Sequence, residues 1–209
     1  KLNPNLNLNA VIGYEYLKFD YKGTDVGARD FGSYGLPYTN YLQYSTQGSR
    51  LMGSFQDPTT ELQSYFARAI FNFKEKYALT ATFRADGSTK FGENNRYGYF
   101  PSFSAAWFIG REDFMSNINF INEMKIRAGW GKTGSQDAPA GSSKFRYAFT
   151  GPGALTIVNN ENRDLQWQAD QQINLGIDFT ILNNRISGTV DYFHKKTTDL
   201  LFPKVSAQP

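Results

Sequence analysis

The chain has 209 residues, a net charge of +3 at pH 7, a mean hydropathy of −0.50 and 16% aromatic residues. It contains no cysteine, which excludes disulfides, thiolate metal sites and cysteine nucleophiles, and its scattered basic residues form no stripe for nucleic acid. The longest charge-free stretch, Phe31 to Ser49, is rich in Gly, Ser, Tyr and Gln and holds Pro37, so it does not encode a membrane-crossing helix.

Apolar residues recur with a period of two through most of the chain, which predicts strands. The first strand spans about 5–20, with Leu6, Leu8, Ala10, Ile12, Tyr14 and Tyr16 in phase. A loop rich in Gly, Tyr, Ser and Thr fills about 21–60. Strand two, about 61–73, sets Tyr65, Ala67, Ala69, Phe71 and Phe73 on one face. Its other face mixes Arg68 and Asn72 with Phe66 and Ile70. After the turn Lys74-Glu75-Lys76, strand three opposes Tyr77, Leu79, Ala81, Phe83 and Ala85 to Thr80, Thr82, Arg84 and Asp86. A medium loop reaches Arg96, and strand four, about 97–110, lines up Phe103, Ala105, Trp107 and Ile109. A connection over 111–123 has room for one helical turn. Strand five, about 124–133, sets Ile126, Ala128 and Trp130 opposite Arg127, Gly129 and Gly131.

A loop over 134–164 leads to a strand beginning near Leu165, where the alternation is cleanest. Ile173, Leu175, Ile177, Phe179 and Ile181 oppose Gln172, Asn174, Gly176, Asp178 and Thr180. Beyond Leu182-Asn183-Asn184-Arg185, the period resumes with Ile186, Gly188, Val190 and Tyr192 against Ser187, Thr189 and Asp191. Leu200-Leu201-Phe202-Pro203 then leaves the last strand for another loop.

These strands exceed the roughly 5–6 residues usual in soluble proteins and reach the roughly 9–11 that cross a bilayer. Tight turns alternate with long loops, the asymmetry of an outer-membrane barrel. An arginine facing lipid at the midplane costs about 2–4 kcal/mol. Arg68, Arg84, Arg127, Asp178 and Asp191 are therefore expected to face the lumen, and Leu79, Phe83, Trp107, Ile177, Phe179 and Val190 the lipid. Tyr14, Tyr16, Tyr77 and Trp130 suit an interfacial aromatic girdle. The expected fold is all-β, about seven strands of a larger antiparallel transmembrane barrel. The even strand number of such barrels is not met. With no secretory leader at Lys1, a mature form or a piece of a longer protein is expected. A soluble β-sandwich binding carbohydrate and a small barrel adhesin are the alternatives.

Other motifs carry ordinary readings. Gly131-Lys132-Thr133 lacks the glycine a phosphate loop needs five positions earlier, where Ile126 stands. His194 is the only histidine, so no histidine cluster binds metal. Asp86 and Glu93 flank a turn with nothing to set them up as an acid–base pair. Asp25, Asp30 and Asp57 match no calcium loop. No cofactor and no enzymatic activity are expected. Tyr34, Tyr38, Tyr41 and Tyr44 crowd one loop beside Asn40, Gln43 and Gln47, a chemistry suited to holding sugar or peptide, or else to packing the loop against its neighbours.

Three blocks resemble a known family. Arg84-Ala85-Asp86-Gly87-Ser88-Thr89-Lys90-Phe91-Gly92 with Asn95-Arg96-Tyr97-Gly98-Tyr99-Phe100-Pro101-Ser102-Phe103 is similar to the barrel of SusC/RagA-type TonB-dependent transporters of Bacteroidetes. So are Lys125 to Gln136 and Asn162 to Phe202, the latter containing Asp164-Leu165-Gln166-Trp167. The match covers about 61–202; after Trp167 the family usually has Glu, and this chain has Gln168. The resemblance implies a barrel of roughly 22 strands with a plugged lumen. It implies one barrel domain over 1–209, with the plug and the TonB-contacting segment before Lys1 and the last strands after Pro209. It also implies import driven through TonB, a SusD-like surface lipoprotein as partner, outer-membrane lipid around the wall, and an oligosaccharide or peptide ligand.

Overall fold

The computed structural model describes residues 5–32 and 41–202. In chain order the strands are β1 (Leu6–Phe19), β2 (Lys22–Gly27), β3 (Leu51–Gln56), β4 (Thr60–Phe73), β5 (Tyr77–Ser88) and β6 (Tyr97–Trp107). They continue as β7 (Ile121–Ser135), β8 (Arg146–Gly151), β9 (Ala154–Asn159), β10 (Gln168–Ile181) and β11 (Ile186–Thr198). Seven long strands form one antiparallel sheet in the order β1-β4-β5-β6-β7-β10-β11. Each is 11 to 15 residues long.

The short connections lie at one end, called lower below. Lys74 and Glu75 both adopt positive φ, the geometry of a type I′ hairpin turn. Leu182, Asn183 and Asn184 turn the chain from β10 to β11 in the same left-handed region, which asparagine tolerates well. The connection from β6 to β7 holds two 3-10 turns, Ile109–Arg111 and Asp113–Met115. Ile109 therefore does not continue β6 in phase with Trp107, as its spacing suggests; the strand ends at Trp107 and Ile109 is buried in the turn.

The large loops lie at the upper end, and two of them carry hairpins of their own among the described residues. The segment after β1 carries the hairpin β2–β3, and the one after β7 carries β8–β9. The loops after β5 and β7 meet over the polar face, where Leu62, Phe91, Phe100, Ala138 and Trp167 make a small core. Trp167 packs on Phe91 at 4.6 Å and edge-on to Phe100 at 5.5 Å, and its indole N–H donates to the Arg96 carbonyl at 2.9 Å. A Cβ at Gly92 would lie 1.9 Å from the Arg163 carbonyl oxygen, so only glycine allows the two loops to close this far. The strand expected to begin near Leu165 starts at Gln168, because Leu165 and Trp167 belong to this core.

Candidate functional site

Two-residue alternation and fixed register give the sheet two chemically distinct faces. One row of partners runs Leu8, Phe71, Leu79, Ala105, Ala128, Leu175, Tyr192 across all seven strands. It contains no charge. Leu79, Phe83, Trp107, Ile177 and Val190 are 49%, 48%, 37%, 40% and 64% exposed, so nothing among the described residues covers this face. Phe179 shares the face but is half-buried, its ring lying over Gly188 of the neighbouring strand.

The opposite face carries Arg68, Arg84, Arg127, Asp178 and Asp191, and most of these charges are paired. Arg127 grips Asp178 with two hydrogen bonds, Nε to Oδ2 at 2.9 Å and Nη2 to Oδ1 at 2.8 Å. Lys125 adds a contact to Asp178 at 2.7 Å, and the Thr189 hydroxyl donates to the same carboxylate at 3.1 Å. Arg127 also reaches Asp191 at 2.9 Å, although β10 lies between them. The intervening residue is Gly176, and a Cβ there would stand 2.4 Å from Asp191 Oδ1 and 2.8 Å from Arg127 Nη2. Glycine opens the path.

A second cluster sits nearer the upper rim. Arg84 Nε donates to both oxygens of Asp86 at 2.7 and 2.8 Å. Its Nη2 reaches Ser64 at 3.0 Å and Glu15 at 3.2 Å. Asp86 is thus committed to an arginine. Arg68 has no ion pair or hydrogen bond among the described residues. Phe66 and Ile70 interrupt this face, and the Phe66 ring lies over Gly13 of β1.

Aromatic residues edge the apolar face. At the lower end Phe73, Tyr77 and Trp107 stack in sequence, with centroids 6.3 and 6.4 Å apart. Glu112, which carries no motif in the sequence, closes this ladder. It accepts from the Tyr77 hydroxyl at 2.6 Å, the Trp107 indole at 3.0 Å and Lys76 at 3.0 Å. Those contacts, the tyrosine hydroxyl foremost, pull its carboxyl from 4.5 to about 2. The same ion pair raises the Lys76 ammonium above 10.5. At the upper end Tyr14 faces Tyr65 at 5.2 Å, and Phe103 stacks on Trp130 at 6.0 Å.

The upper aromatics do not follow a ladder row. From Tyr192 on β11, successive partners lead back to Leu8 on β1, eight residues short of Tyr16 and six short of Tyr14. The aromatic line slants across the strands.

In the loop after β1, Tyr41 and Tyr44 are exposed and their rings lie 6.1 Å apart. Arg50 holds that loop by donating to the Gln43 and Ser45 carbonyls at 2.6 and 3.0 Å. Tyr34 and Tyr38 lie outside the described residues, as does Pro203. No group of three or more metal-ligating side chains occurs among the described residues.

Bilayer-length antiparallel strands in an open sheet, apolar on one face and ion-paired on the other, define a segment of a transmembrane β-barrel. The chain belongs to the family described as TonB dependent receptor-like, beta-barrel, whose model matches residues 2–209. It is 34% identical over 207 residues to TonB-dependent receptor P3 of Formosa agariphila, covering 95% of this chain and 20% of that protein. It is 36% identical over 159 residues to TonB-dependent receptor SusC of Bacteroides thetaiotaomicron, covering 67% of this chain and 15% of the relative. A solved structure of the RagAB peptide transporter superposes with a TM-score of 0.78 at 26% identity, over 96% of this chain and 22% of that one. The chain thus spans about a fifth of the length of P3, and the expected SusC/RagA-type resemblance and outer-membrane location hold.

Proposed function

We propose that this chain is a wall segment of a TonB-dependent importer that takes oligosaccharide or peptide across the outer membrane. The ion-paired face lines the lumen and the apolar face meets lipid. The slanted aromatic line carries this reading. A belt level with the membrane surface descends eight residues, about 27 Å, from Tyr16 to Tyr192 while crossing six strand spacings, about 29 Å. That demands a strand tilt of about 43°, or about 35° if Tyr14 marks the belt, and spanning barrels tilt by roughly 35–45°. A soluble sandwich has no reason to place its aromatics on such a line.

In this reading residues 1–209 are part of one barrel domain whose plug and remaining strands lie elsewhere in the protein. The plug engages TonB, and a SusD-like lipoprotein covers the large loops. Tyr41 and Tyr44, with Tyr34 and Tyr38, contact the ligand on its way in. The chain itself performs no catalysis.

These 209 residues contain no cysteine, so one introduced here, in a receptor whose other cysteines are replaced, reports on a single position. Single cysteines at Leu79, Phe83 or Ile177 are expected to resist a charged maleimide in intact outer membranes, and cysteines at Thr82 or Ser104 to react. Equal labelling of both sets would overturn the assignment of faces. Uptake in the parent strain is expected to cease when TonB is deleted; uptake that survives the deletion removes the importer reading.

A further inference from the structure

The outward face changes character just above the aromatic line. On β7 the next outward residue after Trp130 is Lys132, and on β11 His194 and then Lys196 follow Tyr192. Lys132 and Lys196 are both register partners of Gln171 on β10, one on each side. Their Cα atoms are therefore about 10 Å apart, two strand spacings, within reach of one common group. Neither lysine has an ion pair or hydrogen bond among the described residues. The inward lysines of the same two strands differ: Lys195, next to Lys196, is bound to Asp170 at 2.9 Å, and Lys125, further down β7, to Asp178 at 2.7 Å. The surrounding outward positions are Trp130, Ile173, Tyr192 and His194, with no carboxylate among them.

We infer that Lys132, Gln171 and Lys196 hold the phosphate of a phosphorylated glycolipid in the outer leaflet, with His194 beneath it. The inference rests on the reading of this face as lipid-facing. Two uncompensated ammonium groups at the level of the belt select an anionic headgroup, and lysine stems lie along apolar surface while their charges rise to the interface. The Gln171 amide between them adds a donor to the same phosphate. Trp130 and Ile173 below present apolar surface to the acyl chains.

The test uses the full-length receptor, delipidated in detergent, with native mass spectrometry reading bound adducts. The probes are diphosphoryl lipid A, the same lipid A after phosphatase treatment, and inorganic phosphate. The double variant Lys132→Gln/Lys196→Gln is expected to retain lipid A at least about tenfold more weakly than the parent. Lys195→Gln, inward and one residue away, is expected to leave retention unchanged. Phosphatase-treated lipid A should bind the parent no better than the double variant binds the intact lipid, and inorganic phosphate should not displace it. Unchanged retention in the double variant, equal binding of the dephosphorylated lipid, or displacement by inorganic phosphate would each overturn the site. In vesicles, brominated phosphatidylcholine separates the two readings by its quenching of Trp107 and Trp130, taken as the difference between the parent and Trp107→Phe/Trp130→Phe. Absent quenching, the lipid-facing assignment itself fails; quenching with unchanged lipid A retention defeats the glycolipid site alone.

Discussion

Arg127 on β7 contacts Asp191 on β11 at 2.9 Å across an intervening strand, a reach that exists because residue 176 has no side chain. The pair is partly exposed, so its loss is a matter of geometry more than of stability. Gly176→Ala is expected to separate Arg127 from Asp191, keep Arg127 on Asp178, and cost less than about 1 kcal/mol. In a double-mutant cycle, Asp191→Asn should lose its effect in the Gly176→Ala background. An undiminished effect would show that Arg127 reaches Asp191 by another path.

The two faces differ in their tolerance of charge. Ile177→Arg, on the apolar face between its aromatic edges, is expected to destabilise the barrel by about 2–4 kcal/mol in phosphatidylcholine vesicles. Thr82→Arg, on the ion-paired face, should cost well under that. Reversible folding titrations into vesicles measure both, and comparable losses would contradict the assignment of faces.

The rim core depends on a close backbone approach. Gly92→Ala drives a methyl group into the Arg163 carbonyl and is expected to break the 2.9 Å bond from Gly92 N–H to the Leu165 carbonyl. The cost is about 1–3 kcal/mol, confined to the loops. Hydrogen exchange should quicken at Gly92 and Asn94, whose N–H groups donate to Leu165 and Arg163, while β4 and β5 stay protected.

The Glu112 clasp responds to pH with a definite sign. Its folded carboxyl titrates at about 2 against an ordinary 4.5, so the unfolded chain binds more protons between those values. The stabilisation is full above about pH 4.5 and disappears as pH falls through about 2. Lys76 behaves oppositely: its raised value gives stabilisation that is full below 10.5 and lost as pH rises through the raised value. Carboxyl NMR on Glu112 is expected to show midpoint near 2, moving back toward 4.5 in Tyr77→Phe. An ordinary midpoint in the parent would sink this account.

Much of the wall was legible because alternation survives wherever one face must avoid the other's environment. Leu79 to Ala85 and Ile173 to Ile181 reveal their faces, and Lys74-Glu75-Lys76 and Leu182 to Arg185 reveal their turns. Ile109 misled because period alone carries no information on where a strand stops; its spacing suits β6 though its backbone has left the sheet. Phe91 and Trp167 stand among loop residues, and their meeting is created by loops 70 residues apart, as in the bond from Asn94 to Asp164. Glu112 is a lone acid in a polar connection, and its role arises only when the turn brings it against Tyr77 and Trp107. The hairpins β2–β3 and β8–β9 have only 6 residues per strand, too few for a decisive period.

Among the described residues, strands β1 and β11 each have a hydrogen-bonded neighbour on one side only. In acyl chains a bare peptide dipole costs several kcal/mol, and two full flanks of them make solitary insertion prohibitive. In hydrocarbon both flanks need β-partners, so the stability of these seven strands there is coupled to the rest of a closed ring.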